Sequence, residues 1–317
     1  MKHLLKIGDY TKAELKSILE LSEELQNSDE EPLKHKNILF TFEKPSLRTK
    51  VATEVAINHL GGHVIHIDPA SFLGGNVMHA EPVYDNGFGG DRESLYDTVK
   101  NVSQWCDAIF ARVYSHQILN KLAKYSEVPV VNALCNLHHP MQALADIYTI
   151  QEKYGRDEEV CITFVGDANN VAFSLIEIGL KFGNELRFSG PEKYYWSQEQ
   201  LNYFADLASE NGGSFMHTID PQKAIKDSDV IYTDAFVSMG EEHQYGEKIS
   251  HFEKYQVNHE SFSQAKAEAG FMHCLPAHRG IEVTNDIMDH PNSWVYDQAK
   301  NRMVVSKGVF THLIQQQ

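Results

Sequence analysis

Short apolar runs alternate with amphipathic stretches along almost the whole chain, and that alternation limits the fold more than any single motif does. Residues 11–25 place Leu15, Ile18, Leu19, Leu21 and Leu25 behind a capping Thr11, the spacing of an amphipathic helix. A buried-type strand is predicted over 37–42, a helix over 51–60 and a strand over 63–67, followed by a Gly-rich stretch over 68–90. Beyond it the pattern predicts helix 94–105, strand 108–112, helix 117–125, strand 128–132 and a helix from Pro140 to 153. A second series follows: strand 160–165, helix 173–182, strand 186–189, helix 198–211 and a strand closing on Asp234. Such chains build parallel sheets flanked by helices, with ligands gathered at the carboxyl ends of strands, where Arg112 and Asn132 are placed. The expected class is α/β, with doubly wound parallel sheets.

A chain of 317 residues exceeds the size at which one core usually stops growing, so two domains are expected. Composition turns polar between Gly155 and Glu159, which sets the passage between domains there: 1–150 with a returning helix over 300–317, and 151–299. Lys and Arg number 28 against 44 Asp and Glu, a net charge of −16 with no long basic run, which argues against nucleic acid and anionic membranes as partners. No apolar run reaches the length of a membrane span, and the N-terminus turns polar too soon for a signal peptide, so a cytoplasmic protein is expected. Cys106, Cys135, Cys161 and Cys274 are widely spaced and the 17 histidines form no His-Glu-x-x-His helix, so neither a disulfide framework nor a metal site is expected.

Several stretches carry chemistry. In Phe42-Glu43-Lys44-Pro45-Ser46-Leu47-Arg48-Thr49-Lys50 a strand end meets a helix start, where backbone N–H groups, two hydroxyls and the Arg48 fork could hold an anion. The same residues also read as a plain helix cap beside a surface arginine. In His138-His139-Pro140-Met141-Gln142, Pro140 suits a first helical turn, so His139 and Gln142 either aim at one ligand or serve as cap and solvated residue. Gly166-Asp167-Ala168-Asn169-Asn170 follows a strand but lacks Gly-x-Gly-x-x-Gly, which weakens a nicotinamide reading. Asn169 and Asn170 could present amides to a polar ligand or form a turn. Asp234, with Ser238-Met239-Gly240 after it, could hold an ammonium group, or belong to a solvated acidic cluster with Glu241 and Glu242. In His273-Cys274-Leu275-Pro276, Pro276 is expected to keep Leu275 extended, with the carbonyls of Cys274 and Leu275 facing a cleft. Cys274 beside His273 could be a nucleophile, although strand neighbours face opposite ways. Asn301-Arg302-Met303 is predicted to open a terminal helix.

Taken together and in this order, these blocks resemble the aspartate and ornithine carbamoyltransferase superfamily, the ornithine enzymes most closely, from Lys2 to about Phe310. The resemblance implies a carbamoyl-phosphate domain followed by an ornithine domain, a homotrimer or an assembly of trimers, and no cofactor or metal. It implies carbamoyl phosphate and L-ornithine as substrates, with citrulline and phosphate as products. By position, Ser46, Leu47 through its backbone, Arg48 and Thr49 would bind phosphate. Arg112, His139, Gln142 and Arg302 would hold the carbamoyl end, Asn170, Asp234, Ser238 and Met239 would orient ornithine, and Cys274 with Leu275 would contact the reacting groups. Arg112, His139, Cys274 and Arg302 are the expected catalytic residues.

The chain departs from the family pattern in two places. Leu47 stands where Thr or Met is usual, and the stretch from Asp68 to Arg92 is longer than in ordinary ornithine enzymes, as it is in enzymes acting on acylated ornithines. An N-acylated ornithine or putrescine is therefore an alternative acceptor, while Ser238-Met239-Gly240 favours free ornithine. A non-catalytic anion sensor would not need both a cationic and an acidic set, and a nicotinamide oxidoreductase lacks its glycine fingerprint.

Overall fold

The computed structural model describes residues 1–73, 94–156, 158–237 and 245–316. Two compact units emerge: Met1–Met141 with Arg302–Gln317, and Gln142–Asn301.

The first unit opens on α1 (Lys12–Gln26), whose Thr11 side chain accepts the Glu14 N–H while Glu14 reaches back to the Thr11 N–H. It continues through β1 (Asn37–Phe42), α2 (Leu47–His59), β2 (His63–Ile67), α3 (Pro69–Leu73), α4 (Leu95–Trp105), β3 (Ala108–Arg112), α5 (His116–Tyr125), β4 (Val130–Leu134) and the first residues of α6 (Pro140–Tyr154). Its four strands run parallel in the order β2-β1-β3-β4. The order reverses between β1 and β3, where Phe42 pairs with Arg112, so a switch point opens between the Ser46 turn and Arg112. Leu39, Val99, Ile109, Leu119 and Val130 anchor the apolar core beneath it.

The second unit holds the rest of α6, then β5 (Cys161–Val165), α7 (Asn170–Lys181), β6 (Glu185–Ser189), α8 (Gln198–Asn211), β7 (Ser214–Thr218), α9 (Pro221–Ile225), β8 (Val230–Thr233), α10 (Tyr245–Phe252), α11 (His259–Phe262), β9 (Gly270–His273) and α12 (Asn285–Met288). Its five parallel strands are ordered β7-β6-β5-β8-β9, reversing between β5 and β8. Gly166, at φ +142°, makes the turn off β5 at that switch point. The central strands β5 and β8 are buried along their whole length, which is why they read as continuous apolar runs rather than alternating ones.

The chain closes with α13 (Val295–Gln315). From Arg302 onward this helix belongs to the first unit, where Lys307 Nζ donates to the Leu25 and Gln26 carbonyls at 2.8 and 3.1 Å, capping α1. At Gly308 a Cβ would meet Ser22 Oγ at 2.0 Å, so only glycine permits this approach of α13 to α1.

The α/β architecture and its parallel sheets match the expected class. Several local expectations change. The helix expected at 51–60 begins at Leu47 and that at 173–182 begins at Asn170, because Ser46 and Asn169 cap them a turn earlier than the apolar spacing suggests. The terminal helix starts at Val295, not at Asn301. Asn132 is an interior residue of β4, its amide donating to the Leu5 and His138 carbonyls, and not a strand-end group facing a ligand. Leu275 has φ of +58° instead of an extended backbone, held there as its N–H donates to His273 Nδ1 at 2.8 Å.

Candidate active site

In the first unit the candidate anion-binding turn is assembled from three distant parts of the chain. Ser46 caps α2, its hydroxyl accepting the Thr49 N–H at 3.4 Å, so the first N–H groups and positive dipole end of α2 face the turn. Leu47 is 77% exposed, and Arg48 is partly exposed beside it. Arg302 Nη2 donates to Thr49 Oγ1 at 3.0 Å, placing a cation from α13 at that helix start. Ser306 Oγ fixes this placement, donating to the Arg302 carbonyl at 2.7 Å and lying 3.2 Å from Thr53 Oγ1. His139 is buried close enough to Arg302 and Arg112 that burial first, then these two cations, hold its imidazole well below the ordinary histidine range. The imidazole is therefore neutral and can donate one hydrogen bond without adding charge.

Glu43, just before the turn, joins two strand ends. Its N–H donates to the Arg112 carbonyl at 2.9 Å and its carboxylate accepts the Tyr114 N–H. Burial pushes Glu43 up to about 7 while that hydrogen bond pulls the other way. Glu43 thus ties the segment carrying Ser46 to Thr49 to the strand carrying Arg112.

The second unit gathers acids and amides at its switch point. Asp234, just past β8, accepts the Cys274 thiol at 3.0 Å and the Asn169 amide at 2.9 Å. Asn169 caps α7 at the same time, its side-chain oxygen accepting the Val171 and Ala172 N–H groups. Asn170 is the first residue of α7 and is half-buried. Asp167 pairs at 2.7 Å with Lys248 Nζ of α10, a buried ion pair that anchors the turn bearing Asn169 and Asn170. Gln142 donates one of its two amide N–H groups to Asp146 Oδ1 at 2.8 Å, which fixes the side chain on α6.

His273 is fully buried and faces away from nucleophilic work. Its Nδ1 accepts the Leu275 N–H, and its Nε2 lies 3.2 Å from Glu282 Oε1, so the proton sits on Nε2. Donor atoms of Asp234, His273 and Cys274 lie within 4.8 Å of one another. Both ring nitrogens of His273 and the Cys274 thiol are already engaged in hydrogen bonds, so this set is built for orientation.

The structure brings Ser46, Thr49, Arg112, His139 and Arg302 together in one unit. In the other it joins Asp234 to Cys274, with Asn170 beside their partner Asn169. Ser238 and Met239 lie outside the described residues, as does most of the stretch from Asp68 to Arg92. Sequence reasoning missed Glu43, Asp146, Lys248, Glu282 and Gln298. A charged or amide side chain inside an otherwise apolar run was the available signal for Asp146, and Lys248 offered none.

Residues 2–152 match the family described as "Aspartate/ornithine carbamoyltransferase, carbamoyl-P binding domain", and residues 158–313 match its "Asp/Orn binding domain". The chain belongs to the aspartate/ornithine carbamoyltransferase family. Among similar family members, "Ornithine carbamoyltransferase" of Pyrococcus abyssi is 42% identical over 318 residues, covering 99% of this chain and 96% of the relative. "Ornithine carbamoyltransferase, anabolic" of Pyrococcus furiosus is 42% identical over 313 residues, covering 97% and 95%. The solved ornithine carbamoyltransferase from Pyrococcus furiosus superposes with a TM-score of 0.90 at 41% identity, covering 99% of this chain and 97% of that one.

Proposed function

We propose that this chain is an ornithine carbamoyltransferase, moving the carbamoyl group of carbamoyl phosphate to the side-chain amine of L-ornithine and giving citrulline and phosphate. The carrying observation is the capped start of α2 with Arg302 on Thr49 and a neutral His139 beside two arginines. It supplies donors for a phosphate and for a developing oxyanion. Ser46, the Leu47 backbone, Arg48 and Thr49 take the phosphate oxygens. Arg112, His139 and Arg302 donate to the carbamoyl oxygen, while Gln142 meets the carbamoyl amino group.

Asp234 holds the amine of ornithine, Cys274 and Leu275 line its approach, and Asn170, Ser238 and Met239 take the amino-acid end. The neutral amine attacks the carbamoyl carbon, the new C–N bond forms as the C–O bond to phosphate breaks, and the departing phosphate accepts the proton lost by the amine. Cys274 positions and desolvates: its thiol donates to Asp234 and so is not presented as a thiolate nucleophile. The family names its second domain for Asp or Orn binding, and relatives at 42% identity are named for ornithine, which supports the free amino acid over an acylated one or putrescine. We further assign an anabolic role in arginine biosynthesis, a homotrimer and a cytoplasmic location. The "anabolic" relative supports the first, and four free cysteines agree with a reducing compartment.

The test offers carbamoyl phosphate with ornithine, N-acetylornithine and putrescine at equal concentration and measures the carbamoylated products. Citrulline from ornithine alone is expected. Faster carbamoylation of either other amine overturns the acceptor, and no product from any overturns the reaction.

A further inference from the structure

Gln298 belongs to none of the family blocks quoted above, yet it is 1% exposed and lies in the first turn of α13. Its Oε1 accepts the His273 N–H at 3.1 Å, which fixes the orientation of the amide. Its Nε2 then donates to Asp146 Oδ1 at 2.6 Å and to the Tyr232 hydroxyl at 2.9 Å. Asp146 Oδ1 is also the acceptor that holds the Gln142 amide. One side chain therefore ties together α6, which carries Gln142, β8, which ends one residue before Asp234, and β9, which ends one residue before Cys274.

We propose that Gln298 is a positioning residue for carbamoyl transfer, locking Gln142, Asp234 and Cys274 into one arrangement without touching substrate. The inference rests on the reaction assigned above. Only an amide suits the place: the surroundings ask for one acceptor toward a main-chain N–H and two donors toward a carboxylate and a hydroxyl. The titratable groups facing it are Asp146 from α6, Tyr232 from β8 and His273 from β9, with Asp234 and Cys274 at the strand ends. Burial and those neighbouring acids hold the Tyr232 phenol well above its ordinary range, so its proton stays in place.

The test compares wild type, Gln298→Met and Gln298→Glu. Met keeps the length and loses every hydrogen bond. Its kcat/KM for ornithine is expected to fall by about 100-fold, the usual result of misplacing reacting groups by an ångström or so. Inorganic phosphate, which the proposed function assigns to the first unit, is expected to raise the melting temperature of this variant and of wild type alike. In Gln298→Glu the introduced carboxylate faces Asp146 and the pair must share a proton, so kcat/KM should fall as pH rises, a limb missing from wild type. The limb is expected at pH values where the melting temperature of Gln298→Glu is still unchanged, whereas a purely structural role would lower activity and melting temperature together. Gln298→Met within threefold of wild type, or a Gln298→Glu profile that superposes on the wild-type one, overturns the proposal. If Gln298→Met does not fold, the Gln298→Glu profile alone decides. Wild type that forms no citrulline overturns the reaction itself, whereas an active wild type with indifferent variants overturns only the role of Gln298.

Discussion

The two sheets place their candidate site groups at the same topological position, the strand ends where the order reverses, but they handle charge in opposite ways. The first unit collects Arg112 and Arg302 around a helix start and keeps His139 uncharged among them. The second spends its buried cation, Lys248, on Asp167 and offers Asp234, Asp146 and amides instead. A departing phosphate and a developing oxyanion call for donors and positive charge. An amine calls for acceptors, and acceptors of that strength must be held in place by donors around them. One unit thus works by concentrating charge and the other by fixing geometry.

The comparison can be broken most forcefully at Lys248. Replacing it with Ala takes the buried cation away from the buried Asp167 carboxylate, and urea unfolding is expected to show a loss of about 3–5 kcal/mol. A variant within 1 kcal/mol of wild type would mean that this cation is not consumed structurally, on the scale usual for such pairs. Next comes Arg112→Ala, which should lower kcat by about 100- to 1,000-fold with little change in melting temperature. Equal loss of activity and stability would make Arg112 a structural arginine and remove the contrast.

A smaller effect concerns the buried histidines of the first unit. His138 is pushed down to about 3 by burial, then by His116 and Lys6, and His139 is also lowered. The unfolded chain therefore binds protons below about 6.5 that the folded chain refuses, so stability should decline as pH drops from there toward about 3. A melting temperature measured against pH checks this, and His138→Asn should flatten the decline.

Glu43 runs with the opposite sign. Its folded value of about 7 exceeds its unfolded one, so its contribution is complete at acid pH and is lost as pH rises through that value. Glu43→Gln keeps an acceptor for the Tyr114 N–H and is expected to raise the melting temperature at pH 8 more than at pH 5. An unchanged difference between the two conditions would remove the burial argument for this carboxyl.

How much of this could be read from the chain depends on the distance over which each interaction acts. Ser46 was legible as a cap because a cap satisfies N–H groups within three residues. Asn169 was legible as a turn residue for the same reason, but not as a donor to Asp234, 65 residues on. Leu275 misled because the proline rule sees only the next residue, whereas the Leu275 N–H is bound by a side chain already fixed by Glu282. Gln298 was hidden because a helix start read at Asn301 left it in a connecting segment.

The sequence by itself determined the α/β class, the alternation that makes the sheets parallel, the switch-point turns and the residue types that match the family. Periodicity and capping are local, and each is written within a few positions of where it acts. Only the tertiary structure decided that Arg302 meets Thr49 across 253 residues, that Lys248 neutralises Asp167 across 81, and that Gln298 reaches Asp146 across 152. Those contacts depend on how strands are ordered and helices returned, and burial then fixes which groups carry charge.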